Sequence, residues 1–211
     1  MIARLLVRDL RRSLSGAAWL PVAFFVLVAA LVPFAIGPDA TVLARVGPGT
    51  LWIAALTAAL MPIERLVEPD RADGTLDQLA LHGLSEEAVA IAKIAAHWLG
   101  FAPLLMLAAL PAAALLNLDA AMLARLEWSL LVGTPGLAAL SVAIAAMVSG
   151  LPRAGALAGL LLFPLAVPLL IFASSYLNEG GSILLLEAAA SLVLVAFSPF
   201  AAAAAIRAAR T

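Results

Sequence analysis

The chain has 211 residues, of which 65% are hydrophobic and 12% charged, with a formal net charge of -1 and a mean hydropathy of +1.12. A water-soluble domain carries about a quarter charged residues, so half that fraction, with long uncharged runs, excludes an ordinary soluble globule and indicates a membrane protein. The small net charge offers no global field for nucleic acid, and the absence of cysteine excludes disulfides, thiolate metal sites and covalent Cys-x-x-Cys-His cofactor attachment.

Residues 1–14 form the first element. Ile2, Leu5, Leu6 and Leu10 share one helical face, and Arg4, Arg8, Arg11 and Arg12 share the other. Such a basic amphipathic helix lies along the inner membrane surface before the chain turns into the bilayer. Arginines ahead of an apolar run have the look of a signal peptide, and "RRSL" that of a twin-arginine signal. No A-x-A-like site closes the run after Ile36 and further spans follow, so the segment is expected to be retained.

A helix needs about 20 predominantly apolar residues to cross the hydrocarbon core. Six segments qualify: 17–36, 46–63, 94–116, 126–149, 154–176 and 183–205. Proline inside them, at 103, 111, 135, 164 and 168, is no objection, because neighbouring helices re-satisfy freed backbone groups. Continuous apolar runs replace the alternation a β-barrel requires. The expected fold is an all-α integral membrane protein, one transmembrane domain of six helices preceded by an interfacial helix. Arg4, Arg8, Arg11, Arg12, Arg65, Arg71, Lys93, Arg153, Arg207 and Arg210 fall on one side, against Arg45 and Arg125 on the other. The positive-inside rule then places both termini in the cytoplasm.

The loop 64–93 is the one long polar stretch. "DG" at 73–74 marks a turn, Thr75 with Gln78 fits a capping box, and Gly83 sits where a helix would stop. A short helix is expected at about 76–82, exposing Leu76, Leu79 and Ala80. Ser85 then caps a helix whose first turn carries Glu86 and Glu87, and this helix runs into the third span. Such a loop suits either docking to a cytoplasmic partner or a plain solvated connection, and the spacing alone does not separate these. The outer connections 37–45, 117–125 and 177–182 are too short for a catalytic domain. Lys93 is the only lysine and Ala92 precedes it, so a G-x-x-x-x-G-K-[ST] phosphate loop is excluded. The chain also lacks H-E-x-x-H and a cysteine nucleophile, so no enzyme is expected here, and any ATP that drives it must be hydrolysed by another chain.

Several collinear segments, "FAIGPDATVLARVGPGTLWIAAL", "ERLVEPDRADGTLDQLALHGL", "AVAIAKIAAHW", "LLVGTPGL", "LPRAGALAGLLLFPLAVPLLIFA" and "SPFAAAAAIR", span most of the chain. Through them the sequence resembles the cytochrome c maturation protein B family, heme exporter permease subunits of an ABC-type complex in the bacterial inner membrane. The resemblance implies six spans, a soluble ATPase subunit that binds ATP on the cytoplasmic side, companion membrane subunits and a periplasmic heme chaperone. It implies heme as the substrate and no cofactor bound by this chain alone. The family's first cytoplasmic loop has a Phe-x-x-Asp pattern associated with the ATPase; the Asp is Asp70 here, while Val67 replaces the aromatic. The resemblance favours docking for the loop, with Glu64, Asp70, Asp73, Gly74, Leu76 and Leu79 as interface residues. A different class of function also fits: a non-transporting scaffold that couples ATP hydrolysis in the partner to release of the heme-loaded chaperone from a companion subunit.

Other polar residues are weighed against plainer roles. His97, beside Trp98 at the cytoplasmic end of the third span, is an interfacial polar group first and a heme-iron ligand second. His82 belongs to the solvated loop. Glu187, about one turn inside the sixth span, either marks an intramembrane site or reaches the interface. Arg125 and Glu127 anchor the outer start of the fourth span, as Trp19 and Trp128 anchor at interfaces. Gly155 and Gly159 form a G-x-x-x-G that would seat a close helix contact, and the first-span or fifth-span faces are where two protomers would pair as a homodimer.

Overall fold

A computed structural model describes residues 1–14 and 19–209. Over that range the chain runs as α1 (Ile2–Leu14), α2 (Trp19–Ile36), α3 (Ala40–Leu60), α4 (Ile63–Leu66), α5 (Glu68–Ala72), α6 (Thr75–Leu81), α7 (Glu86–Leu115), α8 (Ala120–Val148), α9 (Ala154–Glu179) and α10 (Ile183–Ala208). Among the described residues there is no strand. α2, α3, α7, α8, α9 and α10 are long and apolar enough to cross a membrane, which matches the six spans expected. Ala17, assigned to the first span, and Arg210, counted for orientation, lie outside the described residues.

Three of the spanning helices start ahead of their apolar runs, because polar side chains cap them, the Ser85 cap as expected from the sequence. Asp39 accepts the backbone N–H groups of Thr41 and Val42 at 2.8 and 3.0 Å, which starts α3 at Ala40 rather than 46. Asp119 accepts that of Met122 at 2.7 Å, starting α8 at Ala120 rather than 126. Ser85 accepts that of Ala88 at 3.2 Å, so α7 begins at Glu86 and the polar loop is shorter than 64–93. Each cap fills donors that the first turn of a helix leaves orphaned.

α8 is the central helix, packed against α7, α9 and α10, with Leu126, Leu130, Leu137 and Ile144 fully buried. Between helices in lipid, close approach depends on small residues, since lipid is as apolar as the side chains. Gly136 of α8 shows this: a Cβ there would stand 2.9 Å from the Ser191 backbone of α10. Its N–H donates to the Ser191 hydroxyl at 2.9 Å. Both glycines of the G-x-x-x-G in α9 have neighbours within this chain. Gly155 faces the Glu64 carboxylate, and a Cβ at Gly159 would meet Leu60 at an ordinary 3.6 Å.

α1 lies against α7, and Arg207 near the end of α10 pairs with Glu87 at 2.7 Å and Glu86 at 3.5 Å at the start of α7. These contacts gather α1, the polar loop, the α8–α9 turn and the C-terminal end of α10 at one arginine-rich end. At the opposite end the Arg125 guanidinium packs on Gly180, in the α9–α10 turn.

Candidate functional site

After Leu60 the chain crosses the arginine-rich end in three short helices before Ser85. Gly74, at φ 73°, makes the left-handed turn between α5 and α6 that a side chain would resist. Asp73 accepts the Thr75 N–H at 2.9 Å. That Asp73 cap takes the place of the expected Thr75–Gln78 capping box, and α6 runs over Thr75–Leu81 rather than 76–82. Gly83, at φ 79°, closes α6 as its position in the sequence predicts. Its N–H reaches the Ala80 carbonyl at 2.9 Å and that of Leu84 the Leu79 carbonyl at 3.1 Å, the Schellman pattern.

Three carboxylates fix this loop to the bundle. Asp70 is 1% exposed. One of its oxygens accepts from Lys93 of α7 and from Arg8 of α1, each at 2.5 Å, and the other accepts from Arg12 of α1 at 2.8 Å. Lys93 also donates to the Leu66 carbonyl at 2.8 Å and to Asp9 at 3.3 Å. Burial opposes the charge on Asp70, but Lys93 and Arg8 outweigh it and hold the carboxyl below its ordinary value of 3.8. Glu68 accepts the Gly150 N–H of the α8–α9 turn at 2.7 Å while Arg71 forks onto both its oxygens at 2.7 and 3.0 Å. The Arg71 hydrogen bonds, helped by that N–H, lower the Glu68 carboxyl from its ordinary 4.5. Glu64 accepts the Gly155 N–H in the first turn of α9 at 2.8 Å.

The expected interface residues therefore separate into two groups. Asp70 spends both oxygens inside the chain, Leu76 is buried and Leu79 packs against the core, while Glu64 is exposed and engages one oxygen with Gly155. Asp73 is exposed and Gly74 half-buried at the loop's outer turn. Val67, where the resembled pattern has an aromatic, is buried in the core. The outward face also carries Asp77, Gln78 and Leu81, the last 88% exposed. Leu81 is visible in the sequence as the third leucine of α6, but the helix phase that turns it away from Leu76 needs the Gly74 turn. Beside this face lies a cleft of about 470 Å³ lined by Arg71, Leu76, Asp77, Ser149, Ile206 and Ala209.

His97 is not at an interface: it is 2% exposed. Its Nε2 donates to the Ala59 carbonyl at 3.2 Å, and Ser141 donates to the same oxygen at 3.3 Å. Ala59 stands at the end of α3, where carbonyls lack intrahelical partners, so the histidine completes a helix terminus. The cavity it lines with Asp9, Arg12, Asp70 and Lys93 is about 100 Å³, far below the few hundred needed for a ligand of porphyrin size. His82 is exposed and its Nδ1 lies 2.7 Å from the Gln78 carbonyl of its own helix. Glu187 does not reach the interface either; it is fully buried against Ser129. Trp52 is buried, Trp98 donates to Thr134 at 3.0 Å, and Trp19 and Trp128 are exposed on the bundle surface. Among the described residues no three His, Asp or Glu side chains converge as a metal site.

The family model described as CcmB protein matches residues 1–209. The chain belongs to the CcmB family. It is 44% identical to the heme exporter protein B of Rhodobacter capsulatus, over 96% of this chain and 97% of that protein. To the protein of the same name in Paracoccus denitrificans it is 41% identical, with the same coverage. Heme exporter protein B of Escherichia coli K12 is 38% identical over 89% of this CcmB-family chain and 88% of its own length. With six helices of spanning length, the chain is a multi-pass bacterial membrane protein.

Proposed function

We propose that this chain is the permease subunit of an ATP-driven ABC-type complex that exports or delivers heme for c-type cytochrome maturation. The reading rests on the names of its relatives and on one structural observation. The loop between α3 and α7 is bonded to α1, α7, the α8–α9 turn and α9, yet it turns Asp73, Asp77 and Leu81 outward. A loop tied to four elements moves them together when something pushes its outer face. The pushing partner is a soluble ABC ATPase, because the sequence holds no phosphate loop and ATP must be bound elsewhere. Companion heme-handling membrane subunits and a periplasmic heme chaperone complete the assembly. The inner membrane holds it, with both termini and the arginine-rich end cytoplasmic. Coupling requires the ATPase to contact two conformations of this loop differently.

The test is co-purification in mild detergent of the full chain with the co-expressed ATPase. Asp73→Ala/Asp77→Ala/Leu81→Ala removes outward side chains, including the Asp73 cap of α6, and leaves Glu64, Glu68 and Asp70 in place. Recovery of ATPase activity is expected to fall roughly tenfold or more, the loss of a single interface hot spot. No ATPase with the wild-type chain, or equal recovery with the inserted triple variant, overturns the docking reading.

A further inference from the structure

Glu187 sits one turn into α10 and has no exposed surface. Both carboxyl oxygens lie against one polar partner, the Ser129 hydroxyl of α8, at 2.9 and 3.0 Å. The same hydroxyl oxygen accepts the Trp52 indole N–H of α3 at 2.7 Å. Three helices meet here because Gly133, one turn along α8 from Ser129, has no side chain. A Cβ at 133 would stand 2.5 Å from the Trp52 ring and 2.7 Å from Glu187 Oε1.

Among the described residues no cation forms an ion pair with Glu187. Among the described residues the ionisable groups of the surrounding elements do not pair with Glu187. Arg125, one turn before Ser129 on α8, turns its guanidinium to Gly180. Asp39 and Asp119 cap α3 and α8. Glu127 of α8, Glu179 at the end of α9 and Arg45 of α3 make no hydrogen bond or ion pair with Glu187. On α7, Glu86, Glu87, Lys93 and His97 all lie toward the opposite end, and Arg207 of α10 pairs with Glu87 there. An ionised carboxylate at Glu187 would be a buried charge compensated by one hydroxyl, an arrangement proteins avoid by neutralising the group. A neutral acid needs only the hydroxyl that is there.

We propose that Glu187 is a proton-binding site inside the membrane-spanning bundle, held as the neutral acid while α3, α8 and α10 are packed around Ser129. A conformation that wets Glu187 releases that proton, and linkage makes acid favour the closed packing. The site concerns this chain alone and stands apart from the ATPase reading.

Infrared absorption of the full chain in lipid nanodiscs at neutral pH tests it. The expected result is a carbonyl-stretch band of a protonated carboxylic acid that is lost in Glu187→Gln. In Ser129→Ala the acid keeps its proton but loses its hydrogen bond, so the band shifts and persists. A wild-type spectrum without a protonated-acid band overturns the proposal, as does a band that Glu187→Gln leaves in place. Should Glu187→Gln fail to insert, Ser129→Ala decides, because an unshifted band would belong to another acid.

Discussion

Asp70 was read from the sequence as an acidic contact for a partner, and its surroundings give it a different task. Its carboxylate neutralises Lys93, which is 4% exposed, and draws Arg8 and Arg12 of α1 onto the loop. Asp70→Asn leaves Lys93 only the longer Asp9 contact at 3.3 Å and the Leu66 carbonyl. It is expected to destabilise the fold by on the order of 1–3 kcal/mol, less than the roughly 3–5 kcal/mol of a fully uncompensated buried charge. Thermal unfolding in detergent measures this. The pH dependence has a definite sign: a carboxyl held below its ordinary 3.8 contributes stability that is complete at neutral pH and is lost as pH falls through the folded value. Wild-type unfolding temperature should therefore drop below about pH 4 more steeply than that of Asp70→Asn, which lacks the titrating group. A variant as stable as the wild type, with the same acid limb, would remove Asp70 from this role.

At the scale of elements, α8 and α10 touch where Gly136 meets the Ser191 backbone, and backbone cannot swing aside as a side chain does. Gly136→Ala must push the two helices apart, at a cost of about 1–3 kcal/mol, typical of overpacking. Gly159→Ala on α9, with Leu60 at 3.6 Å, fits the space present and should leave the unfolding temperature near that of the wild type. The pair of measurements ranks two glycines that look alike in sequence. Equal effects would mean that α8 and α10 are not in close contact at Gly136.

For the whole molecule, the arginine-rich end gathers segments far apart in the chain, and the proposed orientation places that end in the cytoplasm. Because the chain has no cysteine, single substitutions give clean labelling sites. Leu81→Cys should react with a membrane-impermeant maleimide in inverted vesicles and not in spheroplasts, and Asn178→Cys near the end of α9 should do the opposite. Labelling of both from the same face would break the six-span arrangement, and a swapped pattern would invert it.

The six spans, the N-terminal helix and the punctuation at Ser85 and Gly83 were legible because they are local. Apolar length against bilayer thickness, a polar cap and a glycine past a helix end act within a few residues. The helices α3 and α8 extend ahead of the apolar spans read from the sequence, because a helix begins at its cap, Asp39 or Asp119, and not at its first apolar residue. What the sequence by itself determined is therefore the class of protein, its span count and the place of its loop, along with the collinear segments that carry the CcmB resemblance. Only the tertiary structure decided which polar residues look inward. Asp70 meets Arg8 across 62 positions and Glu187 meets Ser129 across 58, and burial that depends on such distant partners leaves no trace in local spacing.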